Sequence, residues 1–510
     1  MIIFIDLRES LIEPLFRLDI NPKRMPGENP VRLNSSLEDP AGCAKSLGRG
    51  VMKILSSAMA IAILVCCLTL APVTRGQLAP ATHEQTGPDA VAKGRAVLDE
   101  LAAGQFDKVE AQYSEGLAAA LGPGKLADSW KQLLGQTGGF KSVTSANSQP
   151  IQTSQLVTLV CAFERATLDA TMSFDAEGKL AGIHFRPHKD TTPWSAPAYA
   201  KPDTFHEDPV TVKFQHWELP GTLTTPVGDG PFPLVVLVQG SGPHDEDETI
   251  GPNKPFKDLA WGLASRGVAV LRYMKRTARY GAKSADDFAA FTVDDEIVND
   301  ARAAVELAAK QPKIDAKQIF LLGHSEGGYV APRIAEGNAQ IAGIILLAGP
   351  ARPIEKLIVE QIRYLATFPG VPPAEAQKQI AAAEQAEKTI ESPDLKKTDT
   401  VDFMRAQIPG AYFLDLRGYD PAVTAAKLKI RILVLQGGRD YQVSTEDFDD
   451  WKKALDGHTN ATLKLYPDLN HLFQTGEGKS TPTEYDKAGH VSADTVGDIA
   501  DWVRKGVNGK

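Results

Sequence analysis

The spacing of hydrophobic positions changes several times along this chain, and each change marks a different kind of unit. Over residues 90–135 apolar side chains recur three and four apart, at Val97, Leu98 and Leu101, then at Phe106, Val109 and Tyr113, then at Leu126, Trp130, Leu133 and Leu134. That period predicts successive helices, punctuated by Gly104 and by Gly122-Pro123-Gly124. Over residues 140–185 the period becomes two, around Val143 and over residues 156–163, 168–174 and 180–185. These are strand patterns, and Glu177-Gly178 suits a hairpin turn between two of them. Residues 89–186 therefore read as a small α+β domain. Nothing in it has the spacing of an acid pair, a metal site or a glycine loop, which leaves a binding or stabilising role.

Residues 187–209 carry five prolines and few large apolar side chains, the composition of a linker. From 210 to 510 short, continuous apolar runs such as PLVVLV, IAGIILLA and IRILVLQ alternate with helical patterns. Such runs suit strands buried on both faces, and strand–helix alternation predicts a mostly parallel sheet covered by helices on both sides. The rhythm breaks over residues 351–426, where helical patterns dominate. An insertion at that edge of the sheet is expected to form a helical cap over a pocket, the other reading being a surface decoration.

Composition narrows the class. The chain has 510 residues, 43% hydrophobic and 23% charged, with a net charge of −9. This is ordinary globular make-up, and the acidity argues against a nucleic-acid partner, which calls for a basic face. Near the N-terminus, Met52-Lys53 precedes an apolar run over residues 54–71, followed by Pro72, Thr74, Arg75 and Gly76. The pattern predicts a signal peptide over 52–76, cleaved after Gly76, with the protein exported to the periplasm or secreted and no stable membrane insertion afterwards. The other reading of the run is a membrane anchor, since roughly 18 apolar residues just reach across a bilayer. Residues 1–51 show no sustained period and read as a mis-assigned translation start or a disordered extension; residues 77–88 read as a linker. Of four cysteines only Cys161 lies beyond the export segment, so it has no intramolecular disulfide partner, and its strand-like context marks it as a core residue.

One motif carries chemistry. The strand IFLL runs into Gly323-His324-Ser325-Glu326-Gly327-Gly328 and a helix-compatible stretch follows. G-x-S-x-G in a strand–turn–helix setting is the nucleophile elbow of the α/β-hydrolase fold. It holds a serine hydroxyl above the sheet at a helix N-terminus, where the dipole favours negative charge. A serine needs a base, and the base an orienting acid, in the order Ser, acid, His. The strand IRILVLQ ends in Gly437-Gly438-Arg439-Asp440, and TLKLYP ends in Asp468-Leu469-Asn470-His471. Asp440 and His471 thus stand on the expected loops. Of the other histidines after Asp440, His458 precedes the last strand and His490 follows none, while Asp447, Asp449 and Asp450 lie in a helical stretch and read as a solvated face. The oxyanion hole is expected from the backbone N–H of Glu326 and from that of Ser241, in the loop Gln239-Gly240-Ser241-Gly242-Pro243. The chemistry calls for no cofactor and no metal.

Taken together, GSGPHDEDETIGPNKPFKDLA, VLRYMKRTARYG, GHSEGG, GPARPIEKLIVEQ, LQGGRDYQV and YPDLNHLF followed by GEGKSTPTEY resemble exported α/β-hydrolases of the EstD esterase type. The α+β domain is similar to the domain of unknown function often fused ahead of them. The resemblance spans roughly residues 89 to 505 and implies hydrolysis of small-molecule acyl esters by Ser325, Asp440 and His471, with the Ser241 and Glu326 amides as oxyanion hole. Met274 departs from it, since many relatives have an acidic residue after Arg-Tyr. Two other readings stay open: a serine aminopeptidase of the same fold, though the loop here lacks the His-Gly-Gly-Pro-Gly usual in those enzymes, and a non-catalytic binding protein built on the fold.

Overall fold

In the computed structural model the described residues are 87–508, apart from 123, 152–153, 165, 189–191, 369–372 and 404–405. The signal peptide, the anchor and the N-terminal extension expected from the sequence lie outside them.

The first unit runs α1 (Gly87–Ala102), α2 (Phe106–Glu110), α3 (Glu115–Leu121) and α4 (Lys125–Thr137), then β1 (Phe140–Ile151), β2 (Ser154–Phe163), β3 (Thr167–Phe174) and β4 (Leu180–Pro187). The strands form an antiparallel meander in the order β1-β2-β3-β4. Alternation puts Val157, Leu159, Cys161 and Phe163 on the face that meets Val97, Leu98 and Leu101 of α1 and Trp130 of α4. Burial pushes the Cys161 thiol up to about 12, which keeps it an inert packing group.

The second unit is an eight-stranded sheet in the order β14-β13-β10-β9-β7-β8-β6-β5. Its strands are β5 (Phe205–Phe214), β6 (Trp217–Pro226), β7 (Phe232–Val238), β8 (Ala269–Tyr273), β9 (Ile314–His324), β10 (Ile341–Leu347), then β13 (Arg431–Gly437) and β14 (Ala461–Tyr466). β6 runs antiparallel to both its neighbours, and the pairs from β8 across to β14 are parallel. Period-two alternation splits each apolar run between two cores. Leu234, Val236, Leu321, Leu346 and Val434 face α7 (Asn299–Ala309) and α8 (Glu326–Ala335). Val235, Leu237, Leu322, Ile345 and Leu433 face α5 (Pro255–Ala264) and α14 (Ala493–Asn508). The chain leaves β7 for β8 on one side and returns to β9 on the other. That reversal opens a crevice at the carboxyl ends of β7 and β9, where such sheets place their ligands.

Three readings need correction. β5 begins at Phe205, inside the stretch read as linker. The insertion after β10 holds helices α9 (Ile354–Leu365), α10 (Pro373–Glu391), α11 (Gly410–Leu416) and α12 (Pro421–Lys427), but also a two-stranded hairpin of β11 (Thr400–Phe403) and β12 (Ala406–Pro409). Asp447, on α13 (Thr445–Ala454), is fully buried rather than solvated. Its carboxylate accepts the Ala351 N–H at 3.0 Å and Arg352 Nη2 at 2.8 Å, pinning the start of the insertion to α13.

A second buried carboxylate ties the end of the chain down. Asp258 accepts from Trp194 Nε1 at 2.9 Å, His490 Nδ1 at 3.0 Å and the Val491 N–H at 3.0 Å. The hydrogen bond to Asp258 raises the His490 imidazole above its usual value, against partial burial. A raised folded-state value stabilises the fold below the unfolded value near 6.5 and loses that contribution as pH rises through the folded one. His490→Gln is therefore expected to lower Tm by about 1–3 °C near pH 5.5, the gap closing by about pH 8.5. A gap that stays constant or widens with pH in thermal melts contradicts this pairing.

Candidate active site

β9 ends at His324 and α8 begins at Glu326, so Ser325 alone makes the turn, with φ 53° and ψ −118°. A side chain in that region costs about 1–3 kcal/mol and persists only where the surroundings enforce it. The flanking glycines show how. A Cβ on Gly323 would lie 2.1 Å from the Gly327 carbonyl oxygen, and one on Gly327 would lie 2.3 Å from that of Val238. Helix and strand thus pack closer than any side chain permits, and the residue between them is forced outward. Ser325 N–H donates to the Leu347 carbonyl at 2.9 Å, fastening the elbow to β10.

Asp440 follows β13 and His471 follows β14, both at the same edge of the sheet as Ser325. His471 Nδ1 donates to Asp440 Oδ2 at 2.7 Å. The other acceptor positions of Asp440 are filled: Oδ1 takes the N–H groups of Gln442 and Val443 at 2.8 and 3.0 Å, and Oδ2 also takes Gln436 Nε2 at 3.2 Å. Such a carboxylate is fixed in place, and by accepting from Nδ1 it sets the histidine tautomer with its lone pair on Nε2. Ser325, Asp440 and His471 are 6%, 6% and 3% exposed, so their electrostatics operate largely away from bulk water.

The loop after β7 lies against Ser325: a Cβ on Gly240 would stand 3.1 Å from Ser325 Cβ. The Gly240 N–H is already committed to Glu248 Oε1 at 2.6 Å, which leaves Ser241 as the next amide of the loop. Glu326 is the first residue of α8, whose leading N–H groups have no partner within the helix.

Several residues of the site escaped sequence reasoning. His324 and Glu248 lie side by side at 3.0 Å. Against burial, the Glu248 carboxylate raises the His324 imidazole, and the His324 charge in turn lowers Glu248, so the two stand as an ion pair. His324 Nε2 donates to the His471 carbonyl at 3.0 Å, and one buried pair thereby braces the histidine loop on one side and the Gly240 loop on the other. Lys275, two residues beyond β8, is buried with its Nζ 3.1 Å from Glu296 Oε1 and 3.4 Å from Glu326 Oε2. The signal that could have found it is a cation two positions after a fully buried strand, at the sheet edge that carries Ser325. The insertion touches the site in three places: Tyr412 OH on α11 donates to Glu326 Oε1 at 3.0 Å, Gln361 on α9 donates to the Gln442 carbonyl at 2.8 Å, and Tyr364 stacks on Tyr441 with centroids 5.1 Å apart. Among the described residues no cluster of His, Cys, Asp and Glu could hold a metal ion.

Comparison with known proteins follows the same division of the chain. Residues 95–183 match a family described as a protein of unknown function (DUF3887), and residues 253–477 match the family described as serine aminopeptidase, S33. Among solved structures, Est1E from Butyrivibrio proteoclasticus is 17% identical with a TM-score of 0.37, covering 59% of this chain and 97% of that one. A Pyrococcus furiosus esterase, PF2001, is 15% identical with a TM-score of 0.38, covering 63% and 99%. Esterase EstD of Thermotoga maritima is 37% identical over 410 residues, which span 80% of this chain and 94% of that protein. With that identity carried across both units, the chain belongs to the EstD family of α/β-hydrolase-fold esterases.

Proposed function

We propose that this protein hydrolyses carboxylic esters of small acyl groups, with Ser325 as nucleophile, His471 as general base and Asp440 as its orienting acid. The observation that carries the reading is the 2.7 Å pairing of His471 Nδ1 with a fully saturated Asp440 carboxylate, at the sheet edge where Ser325 forms its strained turn. His471 Nε2 takes the Ser325 proton as Oγ attacks the ester carbonyl. The Ser241 and Glu326 N–H groups stabilise the tetrahedral oxyanion. His471 then gives the proton to the departing alcohol, leaving an acyl-enzyme. Water, activated by the same imidazole, releases the acid and restores the serine.

The matched description as a serine aminopeptidase keeps a second reading in view. Peptidases of that kind need an anchor for a free amine, and the loop Gln239-Gly240-Ser241-Gly242-Pro243 offers amides and hydroxyl rather than a carboxylate. Assayed side by side, a short-chain nitrophenyl ester is expected to be turned over and a prolyl nitroanilide left essentially intact. Efficient cleavage of the anilide with little ester hydrolysis overturns the esterase reading in favour of the peptidase.

A further inference from the structure

Gly240 is held from both sides. Its N–H goes to Glu248 and its carbonyl accepts Lys275 Nζ at 2.9 Å. A peptide is planar and trans, so the Gly240 carbonyl and the Ser241 N–H form one rigid unit pointing in opposite directions. Whatever fixes the oxygen therefore fixes the aim of the N–H. A buried ammonium on that oxygen also polarises the peptide, making its N–H the stronger donor. The far side of Ser241 is fixed as well, because its own carbonyl accepts His244 Nε2 at 2.8 Å. The same ammonium reaches the carboxyl of Glu326, whose backbone supplies the other proposed donor.

We propose that Lys275 is the positioning residue of the oxyanion hole, setting the direction and strength of the Ser241 N–H by holding the Gly240 carbonyl. This rests on the esterase reading above. Stability alone is a weak reason for such a cluster: a buried cation among Glu296, Glu326 and Tyr412 is at best comparable with apolar packing of the same volume. Its placement on the peptide that carries an oxyanion donor gives it a use that packing lacks. Tyr412 extends the arrangement into the insertion, so the cap and the donor loop share one buried network.

The test uses the full chain carrying Lys275→Met and, because that change leaves two buried carboxyls without their cation, a second variant combining Lys275→Met with Glu296→Gln. Turnover of a nitrophenyl ester is expressed per serine labelled to completion by a fluorophosphonate, so that a partly folded preparation still reports on its folded fraction. In both variants kcat per labelled site is expected to fall about 10²–10³-fold, as for loss of one oxyanion donor, with KM within about threefold of the parent. Affinity for an aryl trifluoromethyl ketone, which forms a tetrahedral oxyanion on the serine, is expected to fall in parallel. A merely structural lysine would lower Tm and the labelled fraction while leaving kcat per site and ketone affinity unchanged. Values within about threefold of the parent in either variant overturn the proposal. If instead the parent protein neither cleaves ester nor takes the label, the esterase reading itself has failed.

Discussion

Ser325→Ala is expected to lower kcat for a nitrophenyl ester by about 10⁴-fold or more, with KM little changed. The expected loss is large because, in the proposed mechanism, the hydroxyl is the group that forms the covalent bond. The rest of the site stays assembled: the His471–Asp440 pair at 2.7 Å and the Gly240 loop held by Glu248 and Lys275 do not involve the Ser325 side chain. Residual activity should therefore reflect water attack assisted by the remaining base and oxyanion donors, as happens when such machinery loses its nucleophile. Alanine has the same backbone preferences as serine at φ 53°, so Tm is expected to move little and the kinetic loss cannot be charged to unfolding. A fluorophosphonate should label the parent at Ser325 and leave the variant unlabelled. Turnover unchanged in Ser325→Ala would instead favour a binding protein built on the fold, with adventitious hydrolysis elsewhere.

The parallel strands were legible because burial on both faces demands continuous apolar runs; PLVVLV supplies Leu234 and Val236 to one core and Val235 and Leu237 to the other. β5 and β6 were not. β5 is an edge strand, largely exposed, and reads HEDPVTVKF after its first aromatic residue, with Pro209 inside it. A proline and clustered charges are what an edge strand tolerates and what sequence reasoning scores as linker. The β11–β12 hairpin has four residues per strand, too few to carry a period. At the candidate site, the placement of Ser325, Asp440 and His471 at one sheet edge was legible because each stands in the turn or loop after a recognisable strand. The braces around them were not, because they meet only in three dimensions: Tyr412 reaches Glu326 across 86 positions and Arg352 reaches Asp447 across 95. Asp447 shows the limit plainly. Its neighbours Asp449 and Asp450 share its helix and its chemistry, and only the fold decides that one of them turns inward to meet an arginine.

Asp440→Asn is expected to lower kcat about 10³–10⁴-fold while leaving the protein folded. The reason lies in the acceptor count. Asp440 receives four hydrogen bonds and donates none: from the Gln442 and Val443 amides on Oδ1, and from His471 Nδ1 and Gln436 Nε2 on Oδ2. An asparagine keeps its single oxygen most favourably where two backbone N–H groups converge, which turns its NH₂ toward His471. The imidazole then becomes an acceptor at Nδ1, and its proton moves to Nε2, the atom proposed to take the Ser325 proton. The base is present, well packed and in the wrong tautomer. The NH₂ also faces Gln436 Nε2, a donor against a donor, so a modest drop in Tm should accompany the kinetic effect. Steady-state kinetics and complete, though slowed, fluorophosphonate labelling distinguish lost activation from lost structure. An asparagine variant within tenfold of the parent kcat would mean that Asp440 does not orient the base, and that the 2.7 Å contact with His471 serves the fold rather than the reaction.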